Sequence, residues 1–378
     1  MRTTTPEVSE RDRLARRIAA FGLDENNNQV ALSISHEEWL VFLSTLYQQR
    51  LTGFAVAAAE EGSLNLASGQ AEELLDRHRD AMLQVLALER HLVTLSEALE
   101  EAGVEMVLLK GSALAHTVYP DPSWRPFADL DFLVRGQDFQ RAIQVLADRG
   151  FNRALPEPRA RFDVRFGKAA ELYGPGGLTI DLHRTLVVGP FGLWIDLDEL
   201  FAGTTSFSLG GRSLRRLDDT GLFLHACIHA SLGWWPPLLM PVRDVAQVAT
   251  SAEVDWDLVA ARTRRWRLAA VVRHAINTAS EFLGASFPEE TKGLTAIPSR
   301  RRERRVLEAY ITNKRQRGGT ATSTFRAIPG LPAKIAYARA LLFPDRAFLS
   351  ARQRNGRGSY LRRLAIPISW LTRRHRGL

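Results

Sequence analysis

Two acids two residues apart, Asp129 and Asp131, sit in the run Ala128-Asp129-Leu130-Asp131-Phe132-Leu133-Val134. The run reads as a strand, so both carboxylates project on one side, roughly 7 Å apart along it. Two carboxylates beside an apolar strand repel each other and are costly unless a cation lies between them. A divalent ion is the natural candidate, because Mg²⁺ takes one or two carboxylates together with phosphate oxygens. Upstream, Met106 to Leu109 is a short apolar run bounded by Gly103 and Gly111, and it reads as a buried strand. Gly111-Ser112 breaks it, and Ala113 to Val118 has helix-compatible composition. A third acid, Asp181, stands between Ile180 and Leu182 in another apolar run. Its neighbours face away from it, so it can emerge towards Asp129 and Asp131. The plainer alternative is a surface acid on an exposed hairpin.

Gly-Ser on a strand-to-helix turn, followed by Asp-x-Asp on the next strand, resembles the nucleotidyltransferase superfamily with a polymerase-β-like core. The runs LLKGSAL (108–114) and DLDFLV (129–134), with Arg125 between them, are similar to the bacterial family of uncharacterised nucleotidyltransferases. So are Asp181-Leu182-His183, Leu222-x-x-His225-x-x-x-His229 and the later Arg243-Asp244-Val245. LLFPDRAFL (341–349) and YLRRLAIPISWL (360–371) also look like the family's closing elements, and the likeness runs from about Trp39 onward.

The resemblance implies an α+β fold: a small mixed β-sheet nucleotidyltransferase core with flanking helices, plus mainly helical N-terminal and C-terminal regions. It implies transfer of a nucleoside monophosphate from an NTP to a hydroxyl or similar acceptor on a small molecule or protein, with pyrophosphate released. Asp129 and Asp131 are then expected to bind two ions, Mg²⁺ or Mn²⁺, about 3.5–4 Å apart. Asp181 binds mainly the catalytic one and takes the acceptor proton. Gly111 lets the backbone approach the triphosphate, and Ser112 offers a hydroxyl and an N–H to its phosphates. Arg125 and Lys110 neutralise phosphate charge, Arg125 with the better-suited geometry. Lys110 has a second reading, as a partner of an acid or a solvent-facing side chain. His183, His225, His229 and Asp244 are candidates for the acceptor side. His225 and His229 stand four apart on one helix face, a spacing that suits zinc, but no HExxH glutamate or third ligand accompanies them. Hydrogen bonding inside a packed helix is the favoured reading for both.

Helices must carry this core. Ser35 and Glu38 form a capping-box pattern ahead of Trp39, Leu40, Leu43, Leu46 and Tyr47 at helical spacing. A longer helix is predicted over about Ala71 to Ala102, ended by Gly103, and another over Gln137 to Arg149. A hairpin with its turn at 174–177 delivers Asp181. Further helices are predicted from Asp218, from Trp256 through Phe282, over Arg304 to Lys314 and around Pro332 to Leu342, with Pro288 to Pro298 as a linker. Trp234-Trp235-Pro236-Pro237 is expected to wall the cleft. The resulting partition is a polar, partly disordered 1–34 with a short helix near Arg11 to Phe21, a helical 35–103, the core 104–217, an acceptor-side 218–290 and a basic helical 291–378.

The 378 residues are 45% apolar and 24% charged, which is ordinary for a globular protein. The net charge of +8 is concentrated late, in Arg300–Arg305, Lys314-Arg315, Arg362-Arg363 and Arg373–Arg376. Such clusters suit a triphosphate, RNA or an anionic surface, or are simply a solvated face. Trp370 and Ile368 beside the last arginines are expected to pack onto the helices rather than touch a membrane. The single Cys227 excludes an intramolecular disulfide and a cysteine zinc cluster. With no leader-like N-terminus and no apolar run of about 18 residues, the chain is expected to be cytoplasmic and without a membrane span. Two rival readings remain: an enzyme acting on tRNA, toxin-like or RNA-directed, and an inactive core serving as a scaffold.

Overall fold

A computed structural model describes residues 9–23, 30–31, 34–234, 236–312 and 319–354. The N-terminal part contains α1 (Glu10–Ala20), β1 (Val30–Ala31), α2 (His36–Gln48), α3 (Thr52–Glu60), β2 (Leu64–Asn65) and α4 (Ser68–Glu101). The expected capping box starts α2: Ser35 Oγ accepts from the Glu38 N–H, and the Glu38 carboxylate accepts from the Ser35 N–H. Helix α1 is part of the core, with Ala15, Ile18 and Ala19 buried.

The central part runs β3 (Met106–Leu108), α5 (Ser112–Thr117), β4 (Leu130–Val134), α6 (Phe139–Asp148), β5 (Asn152–Arg153) and α7 (Phe162–Phe166). It continues through β6 (Ala169–Tyr173), β7 (Thr179–His183), α8 (Pro190–Trp194), α9 (Leu197–Ala202), β8 (Thr204–Leu209) and β9 (Arg212–Leu217). Seven of these strands make one mixed sheet in the order β5-β6-β7-β4-β3-β9-β8. The hairpin β6–β7 is antiparallel, as expected, and β7 then lies parallel to β4.

Alternation along the strands sorts the two faces of the sheet. Leu130, Phe132 and Val134 join Ile180, Leu182 and Phe139 in one core cluster with Leu88, Leu92 and Leu95 of α4. Leu133 of β4 and Val107 of β3 turn the other way, into a second and larger cluster built mainly on helices. Those helices are α10 (Asp219–Leu232), α11 (Leu239–Ser251), α12 (Trp256–Arg265), α13 (Ala269–Leu283), α14 (Glu290–Ala296) and α15 (Arg301–Ile311). The described chain closes with α16 (Gly319–Ala327), α17 (Leu331–Leu342) and α18 (Arg346–Arg354). The protein is therefore α+β, a mixed sheet with helices on both faces.

Two local expectations are corrected. The stretch from Pro288 to Pro298 is no linker: it forms α14, whose Leu294 is buried against the helical core, so a boundary at 290 would cut that helix. The hairpin β8–β9, unforeseen, adds two strands beside β3. No helix among the described residues is long and apolar enough to cross a membrane. Trp235, Lys314-Arg315 and the basic tail with Ile368 and Trp370 lie outside the described residues.

Candidate active site

The strand β3 ends in a turn that only glycine suits. Gly111 has φ 59° and ψ −117°, and a Cβ there would meet the Phe127 ring at 3.3 Å. Side chains rarely adopt such a conformation, so this glycine is fixed by backbone geometry. The turn aims Lys110 across the sheet edge, where its Nζ lies 2.9 Å from Asp131 Oδ2 and 3.7 Å from Asp129 Oδ2.

Asp131 and Asp181 are register partners on the parallel pair β4–β7, one position before Phe132 and Leu182. Both acids leave the sheet on the side opposite Phe132 and Leu182, towards the helical block. His183, two residues on, shares their face, and its Nε2 stands 2.8 Å from Asp131 Oδ1 and 3.9 Å from Asp181 Oδ2. Ligand atoms of Asp131, Asp181 and His183 all lie within 4.8 Å of one another, close enough to hold one ion. Asp129 joins from just before the strand. It shares Lys110 with Asp131, and its other oxygen is 3.6 Å from an Arg50 nitrogen.

The charges are unequally settled. Burial pushes the Asp131 carboxyl up, but Lys110 and His183 outweigh it and hold its pKa well below the usual range. Asp131 Oδ2 is buried, and the Lys110 ammonium 2.9 Å away is the cation that balances it. A buried anionic oxygen fits a cation site. For Lys110, burial works against the ammonium, yet Asp131 and Asp129 raise its pKa overall. Asp181 is the reverse case: burial first, then the Asp131 charge, push its carboxyl above the usual value against the pull of His183.

Four residues expected around substrate serve the scaffold instead or stand elsewhere. Arg125 is buried and forked onto Asp244, Nε to Oδ1 at 2.8 Å and Nη2 to Oδ2 at 2.7 Å, while Nη1 donates to the Gly111 carbonyl at 3.2 Å. Asp244 also accepts from Tyr119 Oη at 2.7 Å. The pair thus braces the glycine turn from α11, and Asp244 is spent before any acceptor arrives. The Ser112 hydroxyl is buried and turned 3.5 Å from Glu89 of α4, which also meets His116 at 2.6 Å. His183 belongs with the acids rather than with the acceptor side.

His225 is held by the Leu109 carbonyl, 3.2 Å from Nδ1. Burial, then the Lys110 charge, lower its pKa to about 3, so it is neutral at ordinary pH. His229, lowered well below the usual value by the same two causes, lines the cleft beside it.

All this opens into one cleft of about 630 Å³. Its lining includes the charged Arg50, Lys110, Asp129, Lys168, Glu171 and Asp181 and the apolar Val187, Val188, Ile228, Leu232 and Met240, with Tyr310. Trp234 also lines it and is 68% exposed, consistent with a wall at the rim. Sequence reading missed Arg50, Lys168 and Glu171. The strand position of Lys168 and Glu171, just before and within β6 opposite Asp181, was available in the hairpin pattern; Arg50 carried no motif.

Residues 35–284 match the family described as uncharacterised nucleotidyltransferase. Among solved structures, an antigenic nucleotidyltransferase-like protein from Paracoccidioides brasiliensis is similar at 15% identity, over 53% of this chain and 93% of that one, with a TM-score of 0.32. No curated protein matches.

Proposed function

We propose, from the premise that this chain belongs to the family described as uncharacterised nucleotidyltransferase, that it moves a nucleoside monophosphate from an NTP to a hydroxyl or similar acceptor. The observation that carries this is the register of Asp131 with Asp181 beside the Gly111 turn, two carboxylates on one sheet face, Asp181 lining the cleft and Asp131 buried next to it. The acceptor oxygen bonds to the α-phosphorus while the bond from that phosphorus to the bridging oxygen breaks, and pyrophosphate leaves with the electron pair.

Asp131 and Asp181, with Asp129 beside them, supply the carboxylates that would hold Mg²⁺ or Mn²⁺, His183 keeping its bond to Asp131. A divalent ion bound there supplies charge neutralisation for the phosphate oxygens and the leaving group. Asp181, whose carboxyl burial pushes above the usual value, is suited to receive the acceptor proton. His183 orients Asp131 from within the strand pair, and Lys110 balances the acids. The Arg125–Asp244 fork keeps Gly111 twisted, so its backbone faces the cleft without a side chain. The apolar side chains of the lining suit a nucleobase or an organic acceptor.

The test is incubation with radiolabelled ATP, GTP, CTP and UTP and Mg²⁺ or Mn²⁺, with pyrophosphate release read beside Asp131→Asn. Label appearing on tRNA would redirect the acceptor to nucleic acid. No release under any condition would leave a scaffold.

A further inference from the structure

The end of α2 places an arginine where a helix end ordinarily has glycine. Arg50 N donates to the Tyr47 carbonyl at 3.0 Å and Leu51 N to the Leu46 carbonyl at 2.8 Å, the paired bonds of a Schellman ending with Arg50 in the left-handed position at φ 60°. The ends of α4 and α6 make the same two bonds, and there the left-handed residues are Gly103 and Gly150. Arg50 is thus held in a conformation unfavourable for a side chain, fixed between the buried Leu46 and Leu51. Two further arginines are left-handed, Arg161 and Arg267; neither lines the cleft, and Arg267 lies over the Trp194 ring.

What Arg50 does with its side chain is therefore informative. It lines the cleft, 37% exposed, and stands 3.6 Å from Asp129 Oδ1, an ion pair longer than a hydrogen bond. Among the described residues no hydrogen bond holds its guanidinium. The other cleft cations placed by motif are committed: Lys110 to Asp131 at 2.9 Å, and Arg125 to Asp244 on two bonds. A guanidinium presents a planar fork of donors matched to phosphate oxygens.

We propose that Arg50 binds the triphosphate of the donor nucleotide, exchanging its loose ion pair with Asp129 for phosphate oxygens, an assignment that rests on the nucleotidyltransferase reading. It puts the phosphate-binding arginine on the N-terminal helical region rather than in the sheet motif, so that region completes the site instead of merely supporting it.

Titration calorimetry with ATP, GTP, CTP and UTP in Mg²⁺, on wild type, Arg50→Gly and Arg50→Lys, tests this beside their melting temperatures. The Kd of the preferred triphosphate is expected to rise at least about tenfold in Arg50→Gly and less in Arg50→Lys. Melting of Arg50→Gly is expected to be unchanged or higher, because glycine suits the helix-end conformation. An unchanged Kd in Arg50→Gly, with a wild type that binds, overturns the role of Arg50 and leaves the enzyme reading intact. A weakened Kd accompanied by a lowered melting temperature assigns Arg50 to the scaffold and overturns it too. A wild type that binds none of the four triphosphates defeats the nucleotidyltransferase reading, and this proposal with it.

Discussion

Asp131 and Asp181 face each other in register on parallel strands, and the protein treats them oppositely. Asp131 is buried beneath Lys110 and His183, which stabilise its charge; Asp181, half-buried, has its charge disfavoured. Repulsion between acids, which the sequence led us to expect at 129 and 131, is already relieved there by Lys110. What remains strained is the partner across the sheet.

That asymmetry separates two otherwise similar substitutions. Asp131→Asn is expected to cost about 3 kcal/mol in chemical denaturation, since it leaves the Lys110 ammonium buried without its nearest counter-charge. Asp181→Asn is expected to leave stability unchanged or raise it. Both are expected to reduce turnover at least about a thousandfold. Equal stability losses in the two would contradict the account.

The fork between Arg125 and Asp244 is expected to act through the glycine turn. Asp244→Ala leaves a buried guanidinium unpaired and is expected to cost about 3–5 kcal/mol. The double variant Arg125→Met with Asp244→Leu should lose clearly less than the two single losses combined, since no charge is then stranded. Additive losses in urea melts would mean the two residues are not coupled.

Gly111→Ala forces a Cβ into a conformation side chains rarely take and against the Phe127 ring. A stability loss of about 1–3 kcal/mol is expected from the backbone alone. Nucleotide affinity should fall as well, because the added methyl occupies the approach to the turn. Calorimetry and thermal melts on one preparation check both.

The sheet motif was legible because its chemistry is written at two-residue spacing. Asp129, Asp131 and Asp181 alternate with apolar neighbours whose burial fixes the face, and Gly111 marks the break. The misreadings lie where a residue's partner is far along the chain. Arg125 looked like a phosphate ligand because its consumer, Asp244, is 119 residues away. Ser112 turns to Glu89 of α4, and nothing in the run LLKGSAL announces that contact. Arg50 escaped because its signal is conformational: only the left-handed φ and the neighbouring Asp129 distinguish it from any charged residue near a helix end.

His225 gives the stability a pH dependence of known sign. Burial and the Lys110 charge hold its folded-state pKa near about 3. As pH falls below the ordinary histidine value, the unfolded chain takes up a proton that the folded one refuses until about pH 3. Stability is therefore lost across that window, at most about 1.4 kcal/mol per pH unit from this residue. His225→Gln is expected to flatten the acid limb of melting temperature against pH. An identical slope in wild type and variant would show that His225 takes up its proton over the same pH range folded and unfolded.

Release of pyrophosphate from a labelled NTP, wild type against Asp181→Asn at saturating Mg²⁺, tests the proposed nucleotidyltransferase site most directly. Asp181→Asn, folded and at least as stable as wild type, is expected to show no turnover above background while wild type releases pyrophosphate. Wild-type rates in Asp181→Asn would contradict a reaction carried out on that face of the sheet.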